Sequence, residues 1–536
     1  MKKLKLVCVA IAMAGAAPTF AGGLLTNTNQ HVAFNRMMSR EASIGIDGVY
    51  YNPAGVVFMG EGHHLAINWQ LAYQTRTINN DYKLFTNNVN NPITPRDFKG
   101  KAFAPVIPSF QYAYNKGKWS FQANFSLTGG GGKCTFDDGL GSFEKIVSET
   151  AIAACGLAGV VDQTLGNKLG QQGMEMFTSD QAFGKTGKYS FNSYMHGRQY
   201  YYGLSAGAAY KFCDNFSAFL GVRGVYALTN YYGYVENINV GNMPLYKVLD
   251  PTKENAANIE LSCDQTGVGF TPIIGVDYKT GRWNFSAKYE FKTRIRLKNK
   301  SVNQTPSIGN LPANLANQMT GILTDKFHNA GLPLEQAKQQ AENTTNAVLN
   351  DPTVGATMMG LKTQFDQKLN KAIGEYEDGK KIAGDIPAYL ALGIGYSPVD
   401  AVRVNVGFHW FDDKNATSYN NRNKELKRGT LEYNAGVEVD VNKKITLSTG
   451  WQNTNYGLSD EYMDDKSFVV GSNSAAIGGV YHINKKMDLN VAYFHTFYQH
   501  KKTSETVQLA ADKSIVYNSD YTRNNNVFAV GLDINF

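Results

Sequence analysis

Long apolar runs are missing from this chain beyond residue 21. No stretch of about 18 apolar residues occurs there, so the sequence predicts no membrane-spanning helix. Catalytic signatures are sparse too. No nucleophile elbow of the Gly-x-Ser-x-Gly kind is read in support of a hydrolase, although barrel lipases need not carry one. His63 and His64 open a strand and read better as a polar rim than as a metal site, and His409 and His495 share no ligand spacing. The four cysteines beyond residue 21 (Cys134, Cys155, Cys213 and Cys263) have no metal-binding spacing. Net charge is +7, and +4 without Lys2, Lys3 and Lys5, too little over this length to imply a nucleic-acid partner. The expectation is a non-enzyme with no cofactor and no metal.

What is present points to an exported β protein. Fifteen prolines stand against 53 glycines, 31 tyrosines and 29 phenylalanines, which suits a β-rich wall with aromatic girdles. Residues 1–21 combine a basic start, an apolar stretch and small residues before a cut, the pattern of a secretory signal peptide. Export permits disulfides. At the other end Phe528, Val530, Leu532, Ile534 and Phe536 share one parity, and Ala529, Gly531, Asp533 and Asn535 the other. A strand so patterned has one apolar and one wet face. Its terminal aromatic resembles the closing strand of bacterial outer-membrane barrels, which assembly machinery reads.

Period-two segments joined by turns recur along the chain. Residues 65–73 form the first strand, and later hairpins turn at 115–118, 213–215, 280–281, 398–400, 442–443 and 484–485. About fourteen strands result, with short turns at one end and long loops at the other, as in single-chain outer-membrane barrels. Loops at 129–198 and 298–385 are long enough to hold helices. Met319, Ile322, Leu323 and Phe327 stand at helical spacing, either packed on one another over the barrel mouth or exposed as a capture groove. Residues 22–62 do not read as wall strands and are too few for a core of their own, so they are expected to fold in the lumen as a plug, with the barrel at 63–536. The fold class is all-β: a 14-stranded antiparallel transmembrane barrel with an N-terminal hatch and helical extracellular loops. By parity in 283–297, Lys288, Lys292, Arg294 and Arg296 face the lumen. They either hold a ligand carboxylate or pair in a wall ladder with Glu432, Glu438 and Asp440.

A small N-terminal hatch carrying Asn52-Pro53-Ala54 ahead of a barrel resembles the FadL-type family of outer-membrane transporters for long-chain fatty acids and aromatic hydrocarbons. Residues 267–270, 277–278 and 289–292, then 385–387 and 393–398, then 431–451 and 475–497, match it in order. The long loops after Leu127 and Leu297 depart from it. The resemblance implies passive uptake of a hydrophobic small molecule at the bacterial outer membrane by a monomer in contact with outer-membrane lipid. The ligand would pass to a lumenal pocket near Leu24 and Leu25, be gated by a hatch turn at Asn52, Pro53 and Ala54, and leave sideways. Gly129, Gly130, Gly131 and Gly132 are the candidates for flexibility near that exit. A general porin, an adhesive barrel and an outer-membrane hydrolase are the competing readings; a plug argues against the last two. Cys134 and Cys155 share an external loop in this threading and are the expected pair, with Cys213 a membrane thickness away.

Overall fold

The structure, a computed structural model, describes residues 24–170, 174–179, 181–306, 310–510 and 513–536. The expected signal peptide, 1–21, lies outside the described residues. Eighteen strand segments form one closed sheet. Three wall strands are each broken in two, and Met243–Pro244 is only a loop bridge, so the wall has fourteen strands. They are β1 Gly62–Tyr82, β2 Arg96–Lys116, β3 Trp119–Phe136, β4 Tyr189–Lys211, β5 Phe216–Val240 and β6 Ile259–Thr280, followed by β7 in two parts, Trp283–Glu290 and Arg296–Gln304. Next come β8 in two parts, Lys381–Ala383 and Tyr389–Val399, then β9 Val402–Phe411, β10 Thr430–Asn442, β11 Ile445–Asn455 and β12 Ser472–Asn484. The last two are β13, Met487–Tyr498 with Lys501–Ala510, and β14 Lys513–Asn535. Antiparallel pairing of β1 with β14, from His64↔Asn535 to Tyr82↔Tyr517, closes the barrel and leaves the sheet no free edge.

Alternation decides which face meets lipid. In β1, Ile67, Trp69 and Tyr73 point outward and are exposed, whereas Asn68, Gln70 and Gln74 are buried inside. Several strands run further than their apolar stretch suggests. β3 continues to Phe136 and β7 to Gln304, so the long loops are 137–188 and 305–380 rather than 129–198 and 298–385. The turns expected at the other end are short, as at 117–118, 281–282 and 400–401.

Residues 24–61 lie inside the barrel. Two short helices, α1 Val32–Met37 and α2 Gly48–Tyr51, and a turn at Gly55–Phe58 fill the lumen, and every residue from Thr26 to Ala42 is buried. The fit is close enough to require glycine in the wall: a Cβ on Gly450 would lie 1.6 Å from the Met37 carbonyl oxygen.

Among the described residues, four long helices lie over the loop end, α3 Gly141–Leu169, α4 Leu311–Asn329, α5 Leu334–Leu349 and α6 Pro352–Ile373, with a single turn of helix at Tyr246–Leu249. Phe143, Val147, Leu157, Val161 and Leu165 of α3 share one apolar cluster with Leu315, Met319, Leu323 and Val348. Contrary to the sequence expectation, α3 is long and apolar enough to cross a membrane by length and composition. Its apolar residues are used instead in the core of this helical lid.

Candidate ligand pocket, wall gap and hatch

β2 and β3 pair from Lys116↔Trp119 to Phe110↔Phe125 and again from Phe103↔Lys133 to Gly100↔Phe136, with no ladder between. Residues 104–109 and 126–132 face each other across an opening in the wall. Proline and glycine explain it. Pro105 and Pro108 bring no N–H donor to β2. On β3, Gly130 and Gly131 have φ of +68° and +130°, and the pairing with β4 bulges at Leu127/Gly129 and Gly130/Gly132. A Cβ on Gly130 would meet the Gln199 carbonyl oxygen at 2.4 Å.

The N-terminal segment caps this opening from inside. Thr26 bridges Gly129. The Asn27 backbone N–H donates to Thr128 O at 2.9 Å, and Asn27 Nδ2 and Gln30 Nε2 donate to Leu127 O at 3.1 and 2.8 Å. From β2, Ser109 Oγ and Gln111 Nε2 donate to Gln30 O at 2.7 and 2.8 Å. Buried backbone groups need partners wherever lipid supplies none, and this segment stands in for part of the missing ladder.

The same segment walls a cavity of about 440 Å³ under the lid. Leu24, Leu25, Tyr201, Leu297 and Ile382 form its apolar side, and Arg422, Lys466, Asp464 and Glu375 stand on its polar side. A pocket so divided suits an amphiphile or an aromatic compound. Tyr201 joins the two features: it lines the cavity, and its Cγ lies 3.4 Å from the Cβ that Gly129 would carry.

Asp413, in the β9–β10 loop, ties the segment to the rim. Its carboxylate accepts Leu24 N at 3.1 Å and Thr430 N at 3.0 Å. Burial, helped by nearby Asp412 and opposed by the bonds from Thr430 and Leu24, pushes its pKa up to about 6 from 3.8. An acid raised on folding binds more protons folded than open between these values, so stability falls as pH rises through the window. Opening that exposes Asp413 is therefore expected to be rarer at pH 5 than at pH 7.5. Amide exchange of residues 24–30, corrected for intrinsic rates, measures it, and Asp413→Asn should flatten the dependence.

Deeper in the lumen each residue of the Asn-Pro-Ala turn is anchored to a different strand. Asn52 Nδ2 donates to Asp277 Oδ2 of β6 at 2.6 Å, Gln122 Nε2 of β3 donates to Pro53 O at 2.7 Å, and Ser217 Oγ of β5 donates to Ala54 O at 2.7 Å. Charges finish the attachment. Arg36 and Arg40 of the hatch meet Glu438, which also accepts Arg403 Nε at 2.8 Å. His409 lies between Glu41 of the hatch, at 2.7 Å, and Glu432, at 2.9 Å.

The expected residues divide accordingly. Leu24 and Leu25 line the cavity, and Gly129 to Gly132 border the opening, though within β3 and not at the start of a loop. Lys288 does face the lumen, but Glu290 at 2.9 Å and the Tyr50 carbonyl at 2.6 Å already engage it. Lys292 is half-buried and donates to Asn415 O at 3.1 Å. Arg294 and Arg296 are corrections: β7 breaks at 291–295, its parity shifts, and both side chains are exposed on the outer face while Ile295 and Leu297 turn inward. Met319 and Leu323 are fully buried in lid packing, Phe327 is half-buried against it, and Ile322 is exposed, so the lid offers no groove at these four positions. Cys134 and Cys155 are free thiols, not a pair: Cys134 belongs to β3 and Cys155 to α3. A Gly-x-Ser-x-Gly match does occur at 203–207, against expectation. It lies within β4, with no strand-to-helix turn, and Ser205 Oγ accepts Arg223 Nε at 3.1 Å.

Sequence reading missed Pro105 and Pro108, although proline inside a strand pattern signals a break. It also missed Arg76 and Arg523, direct partners across the closing β1–β14 pair and both buried in the lumen. Arg76 Nε donates to Gln74 Oε1 at 3.1 Å, and Gln74 lines the inner side of the wall opening.

No family model and no curated protein matches the chain. Among solved structures, a Pseudomonas aeruginosa FadL homologue superposes at TM-score 0.56 and 14% identity, over 98% of this chain and 100% of that one. A mutant of the TodX monoaromatic hydrocarbon channel superposes at TM-score 0.51 and 13% identity, over 96% and 100%. At such identities the likeness speaks for the fold, and this chain has the FadL-type fold, a fourteen-stranded barrel filled by an N-terminal hatch.

Proposed function

We propose that the protein is a passive outer-membrane channel for hydrophobic compounds, long-chain fatty acids or aromatic hydrocarbons. The ligand enters through the lid, occupies the cavity beside Leu24 and Leu25, and leaves sideways between β2 and β3 when the N-terminal segment moves. The turn at Asn52, Pro53 and Ala54 keeps the hatch seated meanwhile. One observation carries this reading: a single segment, residues 24–30, both walls the cavity and caps the wall opening. Displacing it connects the two. A general porin needs an open lumen, which the hatch occupies. The chain would act as a monomer, with its terminal strand read by the barrel assembly machinery and its outer face in outer-membrane lipid.

Proteoliposome and whole-cell uptake of radiolabelled palmitate and toluene tests the proposal. Uptake of either above that of an empty membrane supports it. Uptake of neither, with passage of small sugars, makes the protein a porin.

The lumenal cations refine the expectation. Arg76 bonds Gln74 at the inner side of the wall opening and faces Arg523 across the β1–β14 pair, and a ligand carboxylate would exchange for part of their present contacts. Replacing both with glutamine should weaken palmitate binding about tenfold or more and leave toluene unchanged, as expected from the loss of charge-assisted hydrogen bonds. Equal losses for both compounds would remove the head-group role.

A further inference from the structure

The break in β7 creates a feature with no part in the channel. Within and after the break Arg294, Arg296, Lys298 and Lys300 are all exposed on the outer face of the barrel. On the adjacent strand Lys381, also exposed, is the direct partner of Lys298. Like charges opposite one another across a ladder destabilise it, so the fold gains nothing from this arrangement. Three acids lie near. Asp385 is buried and holds Arg296 Nη1 at 2.8 Å, and Asp264 is the partner of Lys300 and accepts Asn230 Nδ2 at 2.8 Å. With Asp378, which accepts Ser301 N at 2.8 Å, five cations stand against three carboxylates, and the patch is net positive.

Its height on the wall is informative. Below it the outward face is apolar, with Trp283, Phe285 and Phe291 on the β7 side and Ile274, Val276 and Tyr278 on β6 all exposed, while Phe270 and Val268 of β6 stand beside Arg294 and Arg296. Eleven residues separate Trp283 from Arg294. At about 3.3 Å per residue and a tilt near 40°, that is about 28 Å along the membrane normal, close to the height of a barrel's apolar band. The cations therefore begin where hydrocarbon ends, on the lid side. A cation costs about 2–4 kcal/mol at mid-membrane but little at the interface, where anionic head groups are within reach.

We infer that this patch binds a phosphorylated glycolipid of the outer leaflet. Its phosphates sit among Arg294, Lys298, Lys300 and Lys381, and its acyl chains lie against Phe291, Phe285 and Ile274. The inference rests on the outer-membrane reading above, but not on what the channel carries.

The test uses the full mature chain, purified from outer membranes in a non-ionic detergent and stripped of lipid. Binding of bis-phosphorylated lipid A and of its dephosphorylated form is measured by native mass spectrometry. Wild type should bind the phosphorylated form at least tenfold more tightly. The variant R294Q/K298Q/K300Q/K381Q should lose that preference, while a variant with Lys443, Lys444, Lys485 and Lys486 changed to glutamine at the opposite end should keep it. Palmitate and toluene uptake by the first variant should match wild type, which shows that it folds. Equal binding of both lipids by wild type, or an unchanged preference in the first variant, overturns the inference. Absence of the chain from the outer-membrane fraction overturns it by another route, by removing the location on which it rests.

Discussion

Replacing Pro105 and Pro108 together with valine should lower uptake of hydrophobic compounds at least tenfold and raise the temperature at which the barrel unfolds. The two effects share a cause. The β2–β3 ladder is interrupted between Phe103 and Phe110, and both prolines fall within the interruption. Each proline withholds a backbone donor and fixes φ near −65°, whereas valine restores the donor and favours the extended state. Each hydrogen bond regained contributes about 1 kcal/mol. A wall zipped across this interval leaves no lateral exit, so a ligand that reaches the cavity returns the way it came. Uptake in proteoliposomes and heat-modifiability on gels read the two effects. Wild-type uptake in a variant of raised melting temperature would show that the ligand does not leave between β2 and β3.

Glu438→Ala is expected to release the hatch. This carboxylate, buried in the wall of β10, meets Arg36 and Arg40 from the hatch and Arg403 from β9. Removing one partner of a buried pair leaves uncompensated charge and costs about 3–5 kcal/mol. Arg403 keeps Asp440, at 2.5 Å, and Arg40 keeps Asp47 of the hatch, at 2.7 Å, so the cost falls mainly on Arg36. A barrel whose sheet has no free edge tolerates losing its plug better than the plug tolerates a stranded cation. The variant should remain a barrel on gels, become sensitive to protease within residues 24–61, and pass small hydrophilic solutes that wild type excludes. Glu438→Gln, which keeps a hydrogen-bond acceptor, should fall between. A protease-resistant hatch in the alanine variant would show that the Asn52, Pro53 and Ala54 anchors hold it alone.

Much of the architecture was legible because strand parity is a local property. The terminal strand, the six short turns and the alternation of apolar and polar residues in β1 could be read directly, since neighbouring side chains on a strand must point opposite ways. The plug was legible by exclusion, as a segment too short for a core beside a barrel that could enclose it. The helices of the lid were readable by their 3.6-residue spacing, and the packing of Met319 and Leu323 against α3 follows from the same apolar faces.

Parity failed where a strand broke. Arg294 and Arg296 follow Trp283 by an odd number of residues and so belong inside on an unbroken strand, but the interruption at 291–295 moved both to the outer face. Cys134 was placed in a loop because the glycine run from Gly129 looked like a strand end; β3 in fact bulges there and continues to Phe136. The amino-acid sequence by itself determined the class of barrel, its hairpins, its plug and its lid, because periodicity and turn chemistry act between neighbours in the chain. Only the tertiary structure decided which polar groups meet. Glu41 with His409, Asp413 with Leu24, Arg76 beside Arg523, and Gln30 across the opening in β3 are pairs separated by about a hundred to several hundred residues. Their meeting depends on barrel closure and on the seating of the hatch, which no local pattern records.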